Sequence, residues 1–324
     1  MKNKILATLV AFGLVGSVSA IEINDNLSVN GFIDGSYNSL DAPTTASATQ
    51  TSTTDADNLG LDEVEVNFLL NVGNVAGELH IDNTTPAGTD KADIEQAHIT
   101  YNFNDNLSIT FGKYGSSLGF EGEDPAGLFT YSRAYESGNF NFGNVDGQIN
   151  GSNNVYEGIA FNYGADNYSV NLSLHEAANA NLDTEDLNVE LSLSYTGIEN
   201  LAIGGGYLFD NRDLASAEAD VINVHAAYTA GKALIAAEYS KIDATTDLDA
   251  MMILVDYDVS DKLGIAVRYS SEEESASVDV DKLTIAPNYA ITESLGAILE
   301  YSDISHDTAG SDYDYLALEL TYTF

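Results

Sequence analysis

Glu63-Val64-Glu65-Val66-Asn67-Phe68-Leu69-Leu70-Asn71-Val72 places Val64, Val66, Phe68, Leu70 and Val72 on one face. Glu63, Glu65, Asn67, Leu69 and Asn71 fall on the other. Side chains that alternate with a period of two belong to a β-strand with one oily and one polar face. Leu187 to Tyr195 repeats the pattern, with Leu187, Val189, Leu191, Leu193 and Tyr195 opposing Asn188, Glu190, Ser192 and Ser194. The last residues do so again: Leu316, Leu318, Leu320, Tyr322 and Phe324 share one face.

Outward from these segments, the same reading predicts strands at 25–38, 60–72, 76–83, 92–103, 106–114, 128–137, 139–149, 154–163, 167–175, 186–196, 200–209, 219–229, 232–243, 249–258, 261–272, 278–290, 293–304 and 312–324. That is about 18, and the weaker alternation of 128–137 with 139–149 leaves 16 as the alternative. Tight polar turns such as Asn104-Asp105-Asn106, Ala230-Gly231-Lys232 and Ser260-Asp261-Lys262 alternate with longer polar links, including 40–58, 84–91, 115–127 and 305–312. Short turns on one side and long loops on the other are the rhythm of an antiparallel transmembrane β-barrel. An even strand count puts both termini on one side, and either count encloses water rather than a packed interior.

Tyrosines fall into two tiers. Tyr207, Tyr239, Tyr269 and Tyr301 precede long links, and Tyr228, Tyr257, Tyr289 and Tyr322 form a second series at a similar spacing, its first three members preceding short turns. Two rows of amphipathic rings suit two membrane–water interfaces.

Residues 1–20 read as a secretory signal: Lys2 and Lys4, an apolar run from Ile5 to Gly16, then the small-residue site Val18-Ser19-Ala20. Cleavage there leaves 21–324 as one barrel domain. The segment holds two lysines and no acid, so the remainder carries 51 acidic and 9 basic residues, a net charge of −42. So acidic a chain repels nucleic acid and anionic membrane surfaces. It has no cysteine and so takes nothing from disulfides. No apolar stretch of 18 residues follows the signal, which excludes transmembrane helices. The expected surroundings are outer-membrane lipid, with small solutes and ions inside.

One stretch resembles a known family. Phe111-Gly112-Lys113-Tyr114, Leu118-Gly119-Phe120-Glu121 and Tyr131-Ser132-Arg133 are similar to a run in the OmpL-like β-barrel porins of the porin-2 type. In that family the run is followed by a strand with an early glycine and a turn containing Asp-Asn, here matched by Glu157 to Tyr163 and by Asp166-Asn167. The terminal phenylalanine resembles the ending of outer-membrane barrels in general. The resemblance, with the general Gram-negative porins a close second, implies passive diffusion of small solutes; it supplies no catalytic residues, and no cofactor is expected. Trimers are common among general porins, which makes a homotrimer an expectation.

In general porins the third long loop folds into the lumen, and resemblance implies the same for 115–127. On that reading Glu121, Glu123 and Asp124 line a constriction opposite Lys113 and Arg133, and opposed charge rows screen solutes. The bland alternative is a solvated external loop. Alternation assigns Glu63, Glu65, Gln96, His98, Glu190, Asn223, His225, Arg268 and Glu319 to the lumen, where acids outnumber bases and predict a cation preference. Charge concentrated in the outer loops, as adaptation to salt or for divalent ions, is the competing account.

Other signals carry less. Gly115-Ser116-Ser117-Leu118-Gly119 has the letters of a nucleophile elbow without its strand–turn–helix context. His80, His98, His175, His225 and His306 show no metal-ligand spacing. Asp55 to Gly60 lacks the bidentate glutamate of a calcium loop. A barrel enzyme of the protease or phospholipase type, or an adhesin, is the alternative to a channel, but no serine–histidine–acid set stands out.

Overall fold

A computed structural model of the chain describes residues 20–47, 50–84, 92–121, 124–137, 148–149, 152–153, 155–176, 187–211, 219–244, 247–274 and 279–324. Sixteen strands make up the barrel. The first half consists of β1 (Leu27–Asp41), β2 (Ala56–Val72), β3 (Val75–Thr84), β4 (Asp93–Asn102), β5 (Leu107–Gly115), β6 (Val155–Gly164), β7 (Tyr168–Glu176) and β8 (Leu187–Ile198). The second consists of β9 (Leu201–Phe209), β10 (Asp220–Ala230), β11 (Ala233–Asp243), β12 (Leu248–Asp258), β13 (Leu263–Glu274), β14 (Asp279–Ala290), β15 (Leu295–His306) and β16 (Tyr313–Thr323). Each strand pairs antiparallel with its neighbours, and β16 closes on β1 with Leu320 opposite Gly35. Phe324 extends the seam, its N–H donating to the Gly31 carbonyl at 3.0 Å. A short strand, Ile21–Asn24, pairs with the start of β1 and stands outside the ring.

Closure leaves no free edge among the described strands of the ring, so their ladder donors and acceptors are met within the wall. Inside and outside follow from the alternation. Leu191, Leu193, Val224, Ile253, Leu299 and Leu318 are exposed, while Glu190, Asn223, Arg268, Thr284 and Glu300 are buried. A water-soluble fold would reverse this, and the inversion identifies lipid as the outer solvent. All eight tyrosines of the two tiers point outward. Three of the first tier donate to an aspartate on the next strand: Tyr207 to Asp220 at 2.7 Å, Tyr239 to Asp249 at 2.5 Å and Tyr269 to Asp281 at 2.6 Å. The ring thus lies along the wall while its hydroxyl meets the polar rim.

The structure settles the count at 16. Residues 128–137, expected as a strand, run as irregular chain inside the barrel, preceded by a 3₁₀ turn at Pro125–Gly127. Its partner at 139–149 lies mostly outside the described residues, and Gln148–Ile149 pairs only with Ser152–Asn153. Leu128 to Ser137 alternates well enough to be a strand, but its main-chain groups bond to side chains of the wall instead of to a ladder. The signal segment, 1–19, also lies outside the described residues.

Candidate lumen constriction

The link between β5 and β6 enters the barrel, where inward-pointing carboxylates receive its main chain. Glu190 on β8 accepts from the N–H and hydroxyl of Ser117 at 2.8 and 2.7 Å and from the hydroxyl of Ser116 at 2.7 Å. Glu238 on β11 accepts from Phe120 N–H at 2.7 Å, and the Asn223 carboxamide oxygen from Gly119 N–H at 3.1 Å. Further along, Glu300 on β15 takes Ser132 N–H at 3.1 Å, and Glu272 on β13 takes Glu136 N–H at 2.6 Å and the Ser137 hydroxyl. Hydrogen bonds to ionised groups are worth about 1.5–3 kcal/mol each. They also satisfy loop N–H groups that buried irregular backbone would otherwise strand.

Cations take the carbonyls. Arg268 Nη2 donates to the carbonyls of Ser132 and Arg133 at 2.9 and 2.6 Å, and Nη1 to Thr130 Oγ1 at 2.7 Å and to Glu121 Oε1 at 2.5 Å. Lys282 reaches the Arg133 carbonyl at 3.0 Å and pairs with Glu136, which also accepts from the Tyr313 hydroxyl at 2.6 Å. Burial alone would raise the Glu136 pKa, but the Lys282 ammonium beside it holds the carboxyl below its usual range. Burial and the nearby Glu238 charge push the Tyr135 hydroxyl well above the usual phenol value.

Apolar contact completes the seat. Leu118, Phe120, Phe129 and Tyr135 join Leu208, Val221, Ile242, Met252 and Leu254 of the wall in one buried cluster. Burying such a side chain contributes about 1.5–3 kcal/mol. Gly204 and Gly206 on β9 make the room: a Cβ at 204 would sit 2.2 Å from the His225 ring, and one at 206 would sit 2.7 Å from Leu118 Cδ2.

The wall formed by β16 and β1 to β4 is different in kind. Asp34, Glu63, Glu65, Asp82, Glu95 and Glu319 are buried on β1 to β4 and β16, and none of these five strands contains a lysine or arginine. Two histidines interrupt the acids. His80 Nδ1 lies 3.3 Å from Glu65 and its Nε2 lies 3.3 Å from Glu78, while His98 is 3.7 Å from Glu78. Among the described strand residues the inward-facing arginine and lysine are Arg268 and Lys282, and both are engaged by the loop.

Of the residues expected in the lumen, Glu63, Glu65, Glu190, Asn223, Arg268 and Glu319 are buried on the inner face. Gln96, His98 and His225 lie there half-buried. Among the constriction residues, Glu121 meets Arg268, a pairing alternation did not anticipate, and Asp124 reaches Glu63 and Glu65. Lys113 shares the outward parity of Phe111 and donates to the Ile94 carbonyl at 2.6 Å, so it does not face the loop acids from within. Arg133 belongs to the lumen loop itself rather than to a facing strand, and Glu123 lies outside the described residues. Glu95 was missed: an irregularity opposite His80 and Ile81 inserts one residue into β4 and turns Glu95 inward. Glu238, Glu272, Lys282 and Glu300 were also missed, although each shares the inward parity of its strand.

A closed 16-strand barrel with an oily exterior, aromatic tiers and a main-chain loop strapped across a polar lumen defines an outer-membrane channel barrel. Residues 26–316 match the family model described as Putative beta-barrel porin-2, OmpL-like, and the chain belongs to that family. No curated protein matches the sequence. Solved structures share the barrel at low identity. OmpT of Vibrio cholerae is 17% identical over 94% of this chain and 100% of its own, with a TM-score of 0.64. The outer membrane channel DcaP of Acinetobacter baumannii is 15% identical over 95% and 100%, with a TM-score of 0.69. An anion-selective porin from Comamonas acidovorans is 9% identical over 92% and 99%, with a TM-score of 0.67.

Proposed function

We propose that this outer-membrane porin passes small hydrophilic solutes with a preference for cations, through a gap bounded by the lumen loop and by the acids of β16 and β1 to β4. The carrying observation is charge asymmetry: the inward arginine and lysine of the described strands are tied up by the loop, while the acids of β16 and β1 to β4 have only histidines, and no lysine or arginine, on their own strands. A field of one sign in a narrow bore raises the local concentration of counter-ions. Glu121, Asp124 and Arg133 of the loop shape the constriction, with Glu121 set by Arg268. The Comamonas barrel is described as anion-selective, so the fold does not fix the sign, and the lumen residues do.

Reversal potentials across a planar bilayer in a salt gradient test the reading. A cation-selective potential is expected, reduced by Glu78→Gln, which removes a solvent-reaching lumen carboxylate. Anion preference, or a refolded protein that conducts nothing, overturns it, and hydrolytic activity of such a protein favours the enzyme alternative. A trimer form has been solved for Vibrio cholerae OmpT, and the same assembly is proposed for this chain, with the first 20 residues removed on export.

A further inference from the structure

The lumen faces of β5, β6 and β7 differ from the acid wall beside them. Their inward parity, marked by buried Thr110, Ala160 and Ser173, alternates with outward Phe111, Phe161 and Leu172. On all three strands that parity holds no aspartate, glutamate, lysine or arginine. Neighbouring β3 and β4 carry Glu78, His80, Glu95 and His98 on the inside, so the charge stops at the boundary between β4 and β5.

Beyond that boundary runs a chain of neutral side chains, one per strand from β4 to β7. The hydroxyls of Thr100 and Thr110 are 2.8 Å apart. The Asn162 carboxamide nitrogen donates to Thr110 Oγ1 at 3.2 Å, and that of Asn171 donates to Asn162 Oδ1 at 2.5 Å. Thr110 is buried, whereas Thr100, Asn162 and Asn171 are half-buried and reach the bore. The hydrogen bonds that fasten the lumen loop, by contrast, fall on β8, β10, β11 and β13 to β16.

The chain uses one carboxamide N–H of Asn162 and one of Asn171, so each keeps a second, and Asn171 Oδ1 has no hydrogen-bond partner. Donors and acceptors set side by side without net charge suit a solute whose every polar group is both, which is the chemistry of a sugar or polyol hydroxyl. Ions gain more from the carboxylates on the other side of the boundary. Hydroxylated solutes gain where each bond to water is replaced by one to the wall.

We propose that Thr100, Asn162 and Asn171 form a lumen subsite for neutral polyhydroxylated solutes of the sugar class, with Thr110 behind them holding Thr100 and Asn162 in place. The subsite rests on the channel reading above and gives the bore an uncharged track beside the acid-lined one.

Maltotriose added to single channels of the full detergent-purified protein in a planar bilayer tests the subsite. Concentration-dependent interruptions of the ion current are expected. Their affinity should weaken about tenfold in Asn162→Leu/Asn171→Leu, which deletes two hydrogen-bonding groups at nearly constant size. Thr284→Val, on the lumen face of β14, should leave the interruptions unchanged, and ion reversal potentials should match wild type in both variants. Saturation-transfer NMR of maltotriose on protein in an amine-oxide detergent, itself free of sugar, reads contact without conductance. It separates failure of the subsite from failure of the channel reading. Circular dichroism of the β-sheet and heat-dependent migration in detergent gels verify that the variants fold. Maltotriose that neither interrupts the current nor receives saturation from wild-type protein, or equal affinity for wild type and the folded double variant, overturns the assignment.

Discussion

Removing Arg268 should release the middle of the lumen loop without opening the barrel. The guanidinium is buried and makes contacts of 2.5 to 2.9 Å to Glu121, Thr130 and the carbonyls of Ser132 and Arg133. In Arg268→Gln the Glu121 carboxylate, only 8% exposed, loses its counter-charge. Breaking one side of a buried pair costs about 3–5 kcal/mol. Water in the lumen can reach part of the site, so the low end, about 3 kcal/mol, applies. At about 1.4 kcal/mol per factor of ten, the equilibrium for local opening rises roughly a hundredfold. Hydrogen exchange read by mass spectrometry on detergent-solubilised protein should show this at the Ala134, Glu136 and Ser137 amides, which are bonded to Glu121 and Glu272. Amides of β6 and β7 should be unaffected. Glu121→Gln alone should loosen the loop less than Arg268→Gln, and the double variant should cost less than the sum of the two. Exchange at those three amides within threefold of wild type in Arg268→Gln would refute the reasoning.

Acid should loosen the same loop. Because the Glu136 pKa is lowered in the folded state, its contribution is fully present above the ordinary carboxyl range and is lost as pH falls through the lowered value. Current fluctuations in single-channel records should therefore grow below about pH 4.3, and Lys282→Met, already lacking the pair, should show a smaller change over that range. Gly206→Ala should unseat Leu118 at a cost of about 1–3 kcal/mol, because the added Cβ overlaps Leu118 and the Leu191 carbonyl. Gly60→Ala, with open space around it, is the control, and the midpoint of heat-dependent gel migration is the measure.

The barrel was legible because lipid and water impose opposite demands on alternate residues. That constraint acts on every strand, so Glu63, Glu190, Arg268 and Glu319 could be placed from local pattern alone. The loop obeys no such rule. Leu128 to Ser137 has a strand's alternation, and only the wall carboxylates and Arg268, distant in sequence, show that its backbone is satisfied elsewhere. Glu95 escaped because one inserted residue reverses parity. Lys113 adjoins the loop in sequence, but it shares the outward parity of Phe111, two residues earlier on β5. A usable clue did exist for the docking: Gly204-Gly205-Gly206 in a strand leaves bare wall, and bare wall invites a visitor.

Many polar fastenings of the loop grip amide and carbonyl groups, which every residue type but proline supplies alike. Drift at positions such as Ser117, Phe120, Ser132 and Arg133 can therefore re-tune the passage while these main-chain anchorages persist, proline excepted where an N–H is gripped. Pro125 sits in the 3₁₀ turn, where the wall asks for no amide hydrogen. Such a scaffold separates the inheritance of shape from the inheritance of selectivity, so related barrels can diverge in what they admit without first relearning how to fold.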